Sequence, residues 1–472
     1  MTEIPITLTE AGAALRSGSL TSVELTKAAL AKAAELDSEL GVYLARLDEI
    51  ALARAEQADA ELASGVDLGP LHGIPVGIKD ILATSDSPTT ANSLILDHAW
   101  GEGKDGPVVR RLREGGAVIT GKVTTMEFAI GMPDFSKPFP IPRNPWNLET
   151  WPGGSSSGTG AGVAAGLFHA GIGTDTGGSI RIPAAFCGVS GLMPTYGRVP
   201  KTGCAPLGYS LDHIGPLARS AEDCGAFLQV IAGYDASDIY CSTKPVPDFN
   251  ADLTGSLEGV TIGVDRVNHS FDTGDPGAAE QYEAALATLT DLGATLVDVT
   301  LPYFAETNAA LFVTMLSEAL AYHMPDLQSR WGDYFAATRK MIAGGVFVSG
   351  ADYVQAQRVR RVAQKALAEL YTEVDLIVTP TASIGSPSYD TLEKREIMEM
   401  FGKIFTGYWD VMGNPALVVP MGFTETGLPV SMQLAARPFE EALLVKAGNA
   451  YQQETEWHLM IPPLAAGTPA AA

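Results

Sequence analysis

The chain has 472 residues, 46% hydrophobic and 18% charged, with 31 basic against 55 acidic side chains and a formal net charge of −24. That composition can fill a large core, and the negative charge repels phosphate backbones and anionic lipid surfaces, which argues against nucleic acid or a membrane as a partner. The start, MTEIPITLTEAGAALRSG, has no basic stretch followed by an apolar run, and no apolar run of about 18 residues occurs anywhere, so the expectation is a cytoplasmic protein.

Along the chain, Thr21-Ser22-Val23-Glu24 reads as a capping box, with Leu20 and Leu25 as a hydrophobic staple. It opens a helix with the apolar stripe Leu25, Ala28, Ala29, Ala33, Leu36. IPVGIKDIL (Ile74 to Leu82) reads as a buried strand, PVVRRLREGG as a short helix ending in glycine, and AVITGK as another strand. This β-α-β order implies parallel pairing. It recurs at VTIGVD (Val260 to Asp265), EQYEAALATLTDLG and ATLVDVTL, and late strands follow at VDLIVTP, PALVVPMGF and PVSMQLAA. From about Pro302 to Leu370 the pattern is mainly helical. With no linker to divide it, the chain reads as one α/β domain over 1–472 built on a large mixed sheet, the helical region being a candidate pocket wall.

The four cysteines (187, 204, 224, 241) and seven histidines are scattered, without CxxC, HExxH or HxH spacing. Reduced thiols and no metal are expected.

The densest glycine/serine stretch is WPGGSSSGTGAG, Trp151 to Gly162. As a linker it should have polar, aperiodic flanks, yet GAGVAAGLFHAGIG follows, suited to close packing. As a phosphate-binding loop it has the GxxxxG spacing from Gly153 to Gly158, but Thr159-Gly160 stands where Lys-Ser/Thr is needed. As a GxSxG elbow it would make Ser156 the nucleophile. That needs a strand before the turn, where PRNPWNLETWP has three prolines, and a late histidine, for which only His323 and His458 are available. Downstream, in GTDTGGSIRIPAAFCGVSGL, two glycines precede Ser179. Such a turn can expose consecutive N–H groups to an oxyanion, and it can equally be a plain glycine turn with an N-cap serine.

Taken together, GIPVGIKD, GGSSSG and TDTGGSIRIPAAFCGVSGLMPTYGRV resemble the amidase signature family. RNPWNLETWPGGSSSG, SLDHIGPLARSAEDC and NPALVVPMGF…GLPVSMQLAA extend the likeness over nearly the whole chain. The resemblance implies that family's fold, a large mixed central sheet with helices on both faces, and no cofactor. It also implies a Ser-cisSer-Lys triad, which falls on Lys79, Ser155 as the bridging serine and Ser179 as the nucleophile. The backbone oxyanion hole falls on Thr176, Gly177, Gly178 and Ser179, and the loop-supporting positions are Asp175 and Arg181. Ser157 replaces a commoner glycine, and Met193 stands where the family usually has lysine.

The implied activity is hydrolysis of an amide or related C–N acyl bond, such as an arylamide, a carbamate (urethane) or a lactam oligomer, by a monomer or homodimer acting on a small molecule. The alternative is the glutaminase subunit of a tRNA-dependent amidotransferase. That subfamily usually carries a block like SNLARYDGIRYG, where this chain reads LFVTMLSEALAYHMPDLQSRWGDYF. GMPDFSKPFPIPRNPW (131–146) is expected as a rigid surface crossing or a pocket border. Phe312, Met315, Tyr322 and Trp331 are the candidate wall residues.

Overall fold

Residues 4–393 and 397–467 are described by the computed structural model. Their strands are β1 (Tyr43–Arg46), β2 (Pro75–Lys79), β3 (Val118–Val123), β4 (Ala170–Asp175), β5 (Ser190–Met193), β6 (His213–Ala218), β7 (Thr261–Asp265), β8 (Thr295–Val299), β9 (Leu376–Pro380), β10 (Ala416–Phe423) and β11 (Pro429–Ala436). They join in one sheet of order β1-β3-β2-β4-β6-β5-β10-β11-β9-β7-β8. The runs β3-β2-β4 and β9-β7-β8 are parallel. The pairings between β4 and β9 are antiparallel, so the sheet is mixed, as expected.

Strand composition follows position. Every residue of β2, β3, β4, β6, β9 and β11 is buried, and since side chains alternate between faces, helices must cover both. Edge strand β8 instead exposes Thr295, Val297 and Asp298. The helix Ser22–Leu40 starts at the expected capping box: Glu24 N–H donates to Thr21 Oγ1 (3.1 Å) and Thr21 N–H to Glu24 Oε2 (2.9 Å). It buries Leu25, Ala29, Ala33 and Leu36, while Ala28 is half-buried. The region after Pro302 forms the helices Phe304–Ser329, Ala336–Ala343 and Gly350–Leu370. Among the described residues no helix is long and apolar enough to cross a membrane.

One expected strand is shorter than its apolar run. The run Ile74 to Leu82 becomes β2 only as far as Lys79, after which the chain turns, with Ile81 N–H donating to Lys79 C=O (2.8 Å). Lys79 is thereby delivered to the C-terminal end of a strand with parallel neighbours on both sides, where open α/β sheets place their ligand sites.

Candidate active site

Strand register brings the first groups together. Ile78 of β2 pairs with Ile172 of the parallel β4, so the two strands end side by side with Lys79 next to Thr174. The chain ahead of β4 supplies Ser155 and Ser156, just before the helix Ser157–Ala165, and the chain after β4 supplies residues 176–180. Ser156 N–H donates to Ser179 C=O (3.2 Å) and Met126 N–H to Ser155 C=O (3.0 Å), tying the loops together. The Gly154–Ser155 peptide is cis. No strand leads into Ser156, so the elbow geometry is not formed, and Ser157, the departure from the commoner glycine, donates its hydroxyl to Gly153 C=O (2.6 Å) inside the same turn.

Lys79 is completely buried, and its Nζ meets three hydroxyls: Ser155 Oγ at 2.7 Å, Ser156 Oγ at 2.9 Å and Thr174 Oγ1 at 2.7 Å. Burial pushes the amine down to about 7, and Cys204, Asp175 and Asp212 pull only partly the other way. The contrast with Lys122 is instructive. That lysine, also buried, is ion-paired to Asp80 at 3.0 Å, whereas Lys79 has no carboxylate in contact among the described residues.

A neutral amine carries two N–H groups and one lone pair, so one of the three hydroxyls can donate to it. Ser156 does not fit that role, because its proton is directed to Thr174 C=O (3.3 Å). The lone pair is left to Ser155 or Thr174. Ser179 is half-buried, and among the described residues its hydroxyl makes no hydrogen bond to another protein group.

The loop after β4 is organised by Asp175. Its carboxylate accepts from Gly178 N–H (2.5 Å), Ile180 N–H (3.1 Å) and Arg181 Nε (3.0 Å). Gly178 N–H is therefore spent on the protein, which corrects the expectation that it faces an oxyanion. Thr406 Oγ1 donates to Gly177 C=O (2.7 Å), fixing the other end of the same peptide. Gly178 has φ 128°, and a Cβ there would lie 2.1 Å from Thr406 Oγ1, so only glycine fits. The N–H groups of Thr176, Gly177 and Ser179 carry no protein acceptor among the described residues.

Arg181, fully buried, is held in turn by Thr406 C=O (2.8 Å), Gln433 Oε1 (3.1 Å) and Asp410 Oδ2 (2.6 Å). Nothing in the sequence marks Asp410, which lies over two hundred residues from the loop it supports, within YWDVMGNP.

The Amidase family model matches residues 24–445. The chain belongs to the amidase signature family. A glutamyl-tRNA(Gln) amidotransferase subunit from Chloroflexus aurantiacus is 39% identical, covering 98% of this chain and 100% of that one. A Mycobacterium bovis chain that carries an amidase name is also 39% identical, covering 97% and 96%. The native peptide amidase from Stenotrophomonas maltophilia superposes with a TM-score of 0.84 at 30% identity, covering 96% and 98%. The chain is thus a member of a serine hydrolase family with the amidase signature fold.

In this family member, Ser155, Thr176, Gly177 and Ser179 border a cavity of about 100 Å³. Its walls are apolar: Met126, Ile130, Trp151, Ile182, Leu311, Phe312, Met315, Met341 and Phe401. Two of the four wall residues named from sequence, Phe312 and Met315, are there, while Tyr322 and Trp331 are not among its lining. From the proline-rich segment 131–146 only Gly131 reaches it. A second cavity of about 200 Å³ shares Ala129, Thr176 and Leu207 with the first and contains Lys201, Asp212 and Asp238.

Proposed function

We propose that this amidase hydrolyses the C–N acyl bond of small amides or carbamates whose acyl side is apolar, through an acyl-enzyme on Ser179. The observation carrying this reading is the cavity at Ser179, which is lined by aliphatic, thioether and aromatic side chains and by no charged one.

In the proposed mechanism the neutral Lys79 takes the Ser155 proton as Ser155 takes that of Ser179. The relay requires a hydrogen bond from Ser179 to Ser155, two residues that border the same cavity, and such links commonly tighten when substrate binds. Ser179 Oγ attacks the carbonyl carbon, and the oxyanion is received by the N–H groups of Thr176, Gly177 and Ser179. The proton returns through Ser155 to the leaving nitrogen, the C–N bond breaks, and the amine departs. Water then repeats the relay on the ester, releasing the acid and restoring Ser179.

Because Lys79 must be neutral and titrates at about 7, kcat/KM on an uncharged amide is expected to climb with pH through about 7 and level off above it. Assays between pH 5.5 and 9 check this, and a rate that stays constant down to the acid end would exclude Lys79 as the base.

A second reading, glutamine hydrolysis within a tRNA-dependent amidotransferase, is favoured by the 39% identity to the Chloroflexus amidotransferase chain and by the neighbouring cavity, whose Lys201, Asp212 and Asp238 offer both charges to a zwitterion. The cavity at Ser179 itself offers glutamine's head group no counter-charge. A panel of anilides, aryl carbamates, short aliphatic amides, a lactam and glutamine separates the readings. Anilides or carbamates are expected to turn over fastest, with Ser179→Ala silent on all, and turnover of glutamine alone would reverse the conclusion.

A further inference from the structure

At the other end of the helix Ser157–Ala165 from its serine-bearing start, a cleft of about 330 Å³ lies between residues 4–6, the helix Ser22–Leu40 and Val163, Ala164 and Phe168. Apart from three basic side chains and Glu35, which is exposed at its border, the walls are apolar.

The basic groups are Lys32, His169 and Arg219. Arg219 is 3% exposed; two of its nitrogens donate to backbone carbonyls, Nη2 to Val163 and Ala164 (both 2.9 Å) and Nη1 to Met460 (3.3 Å), but Nε has no acceptor. His169 Nε2 lies 2.9 Å from Pro5 C=O, and since a carbonyl only accepts, Nε2 carries the hydrogen and Nδ1 keeps a lone pair, buried and without a partner. Half-buried Lys32 makes no hydrogen bond or ion pair among the described residues. In a chain with 55 acidic side chains against 31 basic ones, none of these three has a carboxylate in contact.

Unpartnered buried donors and acceptors are uncommon in folded proteins, and a guanidinium donor, an ammonium and an imidazole around one apolar cleft are complementary to a carboxyl group on an apolar body. We propose that this cleft is a second binding site, for a small aliphatic or aromatic carboxylate, whose oxygens accept from Lys32 Nζ and, once the wall side chains part to admit them, from Arg219 Nε, while a proton bridges one oxygen to His169 Nδ1. The site is separate from the Ser179 cavity and does not depend on the proposed substrate.

The bridging proton sets the pH dependence. Free His169 is neutral, because burial and the nearby Arg219 hold it down to about 4 against the pull of Pro5 C=O. Binding therefore takes up a proton and weakens as pH rises. The charged groups around the cleft are Arg219, Lys32 and Glu35 at its border; behind Arg219 lie Asp223, which burial pushes up to about 6, and His458, which burial and then Arg219 hold down.

Octanoate is the probe, titrated calorimetrically into the full chain carrying Ser179→Ala, with octanol as the neutral control. Octanoate is expected to bind one to one, more tightly at pH 6 than at pH 8, and more tightly than octanol. Lys32→Ala should weaken it about tenfold, as for loss of one charge-assisted contact. Ala28→Phe, which fills the half-buried wall of the cleft, should abolish it. In the otherwise native chain both variants should retain amide turnover. Absence of binding, equal binding of octanol, or octanoate binding unaffected by both substitutions, as for occupancy of the Ser179 cavity, would each overturn the assignment.

Discussion

Lys79→Ala, Ser155→Ala and Ser179→Ala are each expected to lower kcat by about 10⁴- to 10⁶-fold, the range seen when one member of a hydrolytic triad is removed. Pairwise combinations should fall little further, because three groups that pass one proton act as a unit. The sharper comparison is within the loop. Ser156 lies as close to Lys79 as a hydrogen bond requires, at 2.9 Å, yet its own proton is directed to Thr174 C=O, so it orients the amine without passing a proton. Ser156→Ala should lower kcat by only about tenfold, roughly the worth of one orienting hydrogen bond, and should also lower the Tm, since the amine and Thr174 N–H both lose an acceptor. Single-turnover rates on a chromogenic anilide, with circular dichroism to confirm folding, provide the measurement. Equal losses for Ser155→Ala and Ser156→Ala would show that the bridging hydroxyl has been placed on the wrong serine.

That distinction shows where sequence reading stops. Strands β2, β3 and β7 to β11 were legible because their apolar runs are bounded by turn residues or adjoin amphipathic helices. The strands β4 (AGIGTD), β5 and β6, which carry or flank the candidate site, were not. Each carries glycine, because backbones and neighbouring side chains crowd them: a Cβ on Gly173 would lie 2.9 Å from Ser156 Oγ, and one on Gly215 would lie 2.2 Å from Leu192 C=O. Close packing here removes the side chains on which periodicity depends. The motif residues were legible as a set, but not the direction of each peptide. The glycine pair in TDTGGS is compatible with every N–H facing a ligand, and only the structure reveals that Asp175 captures Gly178. Asp410 had no signal at all. A lone aspartate in an aromatic stretch is ordinary until the fold sets it against Arg181.

Asp410 leads to the second large expected effect. Asp175, Asp410, Arg181 and His213 form a cluster buried from solvent in which one guanidinium faces two carboxylates. Burial pushes His213 down to about 3, so it adds no positive charge at neutral pH. Two charged carboxylates on one buried arginine would leave a net negative charge with little solvent to stabilise it, so one must hold a proton. Burial would raise both, but Arg181 and the hydrogen bonds around Asp175 hold that carboxyl down, whereas burial and the charge of Asp175 push Asp410 well up. The acid is Asp410 and the carboxylate is Asp175, and the two should respond oppositely to the same substitution. Asparagine resembles a protonated aspartate, so Asp410→Asn is expected to keep kcat within about threefold, below the worth of a full hydrogen bond. Asp175→Asn turns an NH₂ toward groups that are all donors. It should release the Gly178 peptide and let the loop shift, lower kcat by about 10²- to 10³-fold as for an oxyanion donor at Gly177 or Ser179 moved out of place, and depress the Tm by leaving Arg181 without its counter-charge. Asp410→Ala should fall between them, since it removes an acceptor of Arg181 but leaves the ion pair with Asp175. Steady-state kinetics and thermal melts at pH 8 test the order. If Asp410→Asn proved as damaging as Asp175→Asn, Asp410 would have to be charged in the native protein, and the charge balance that holds the loop over Ser179 would need a cation other than Arg181.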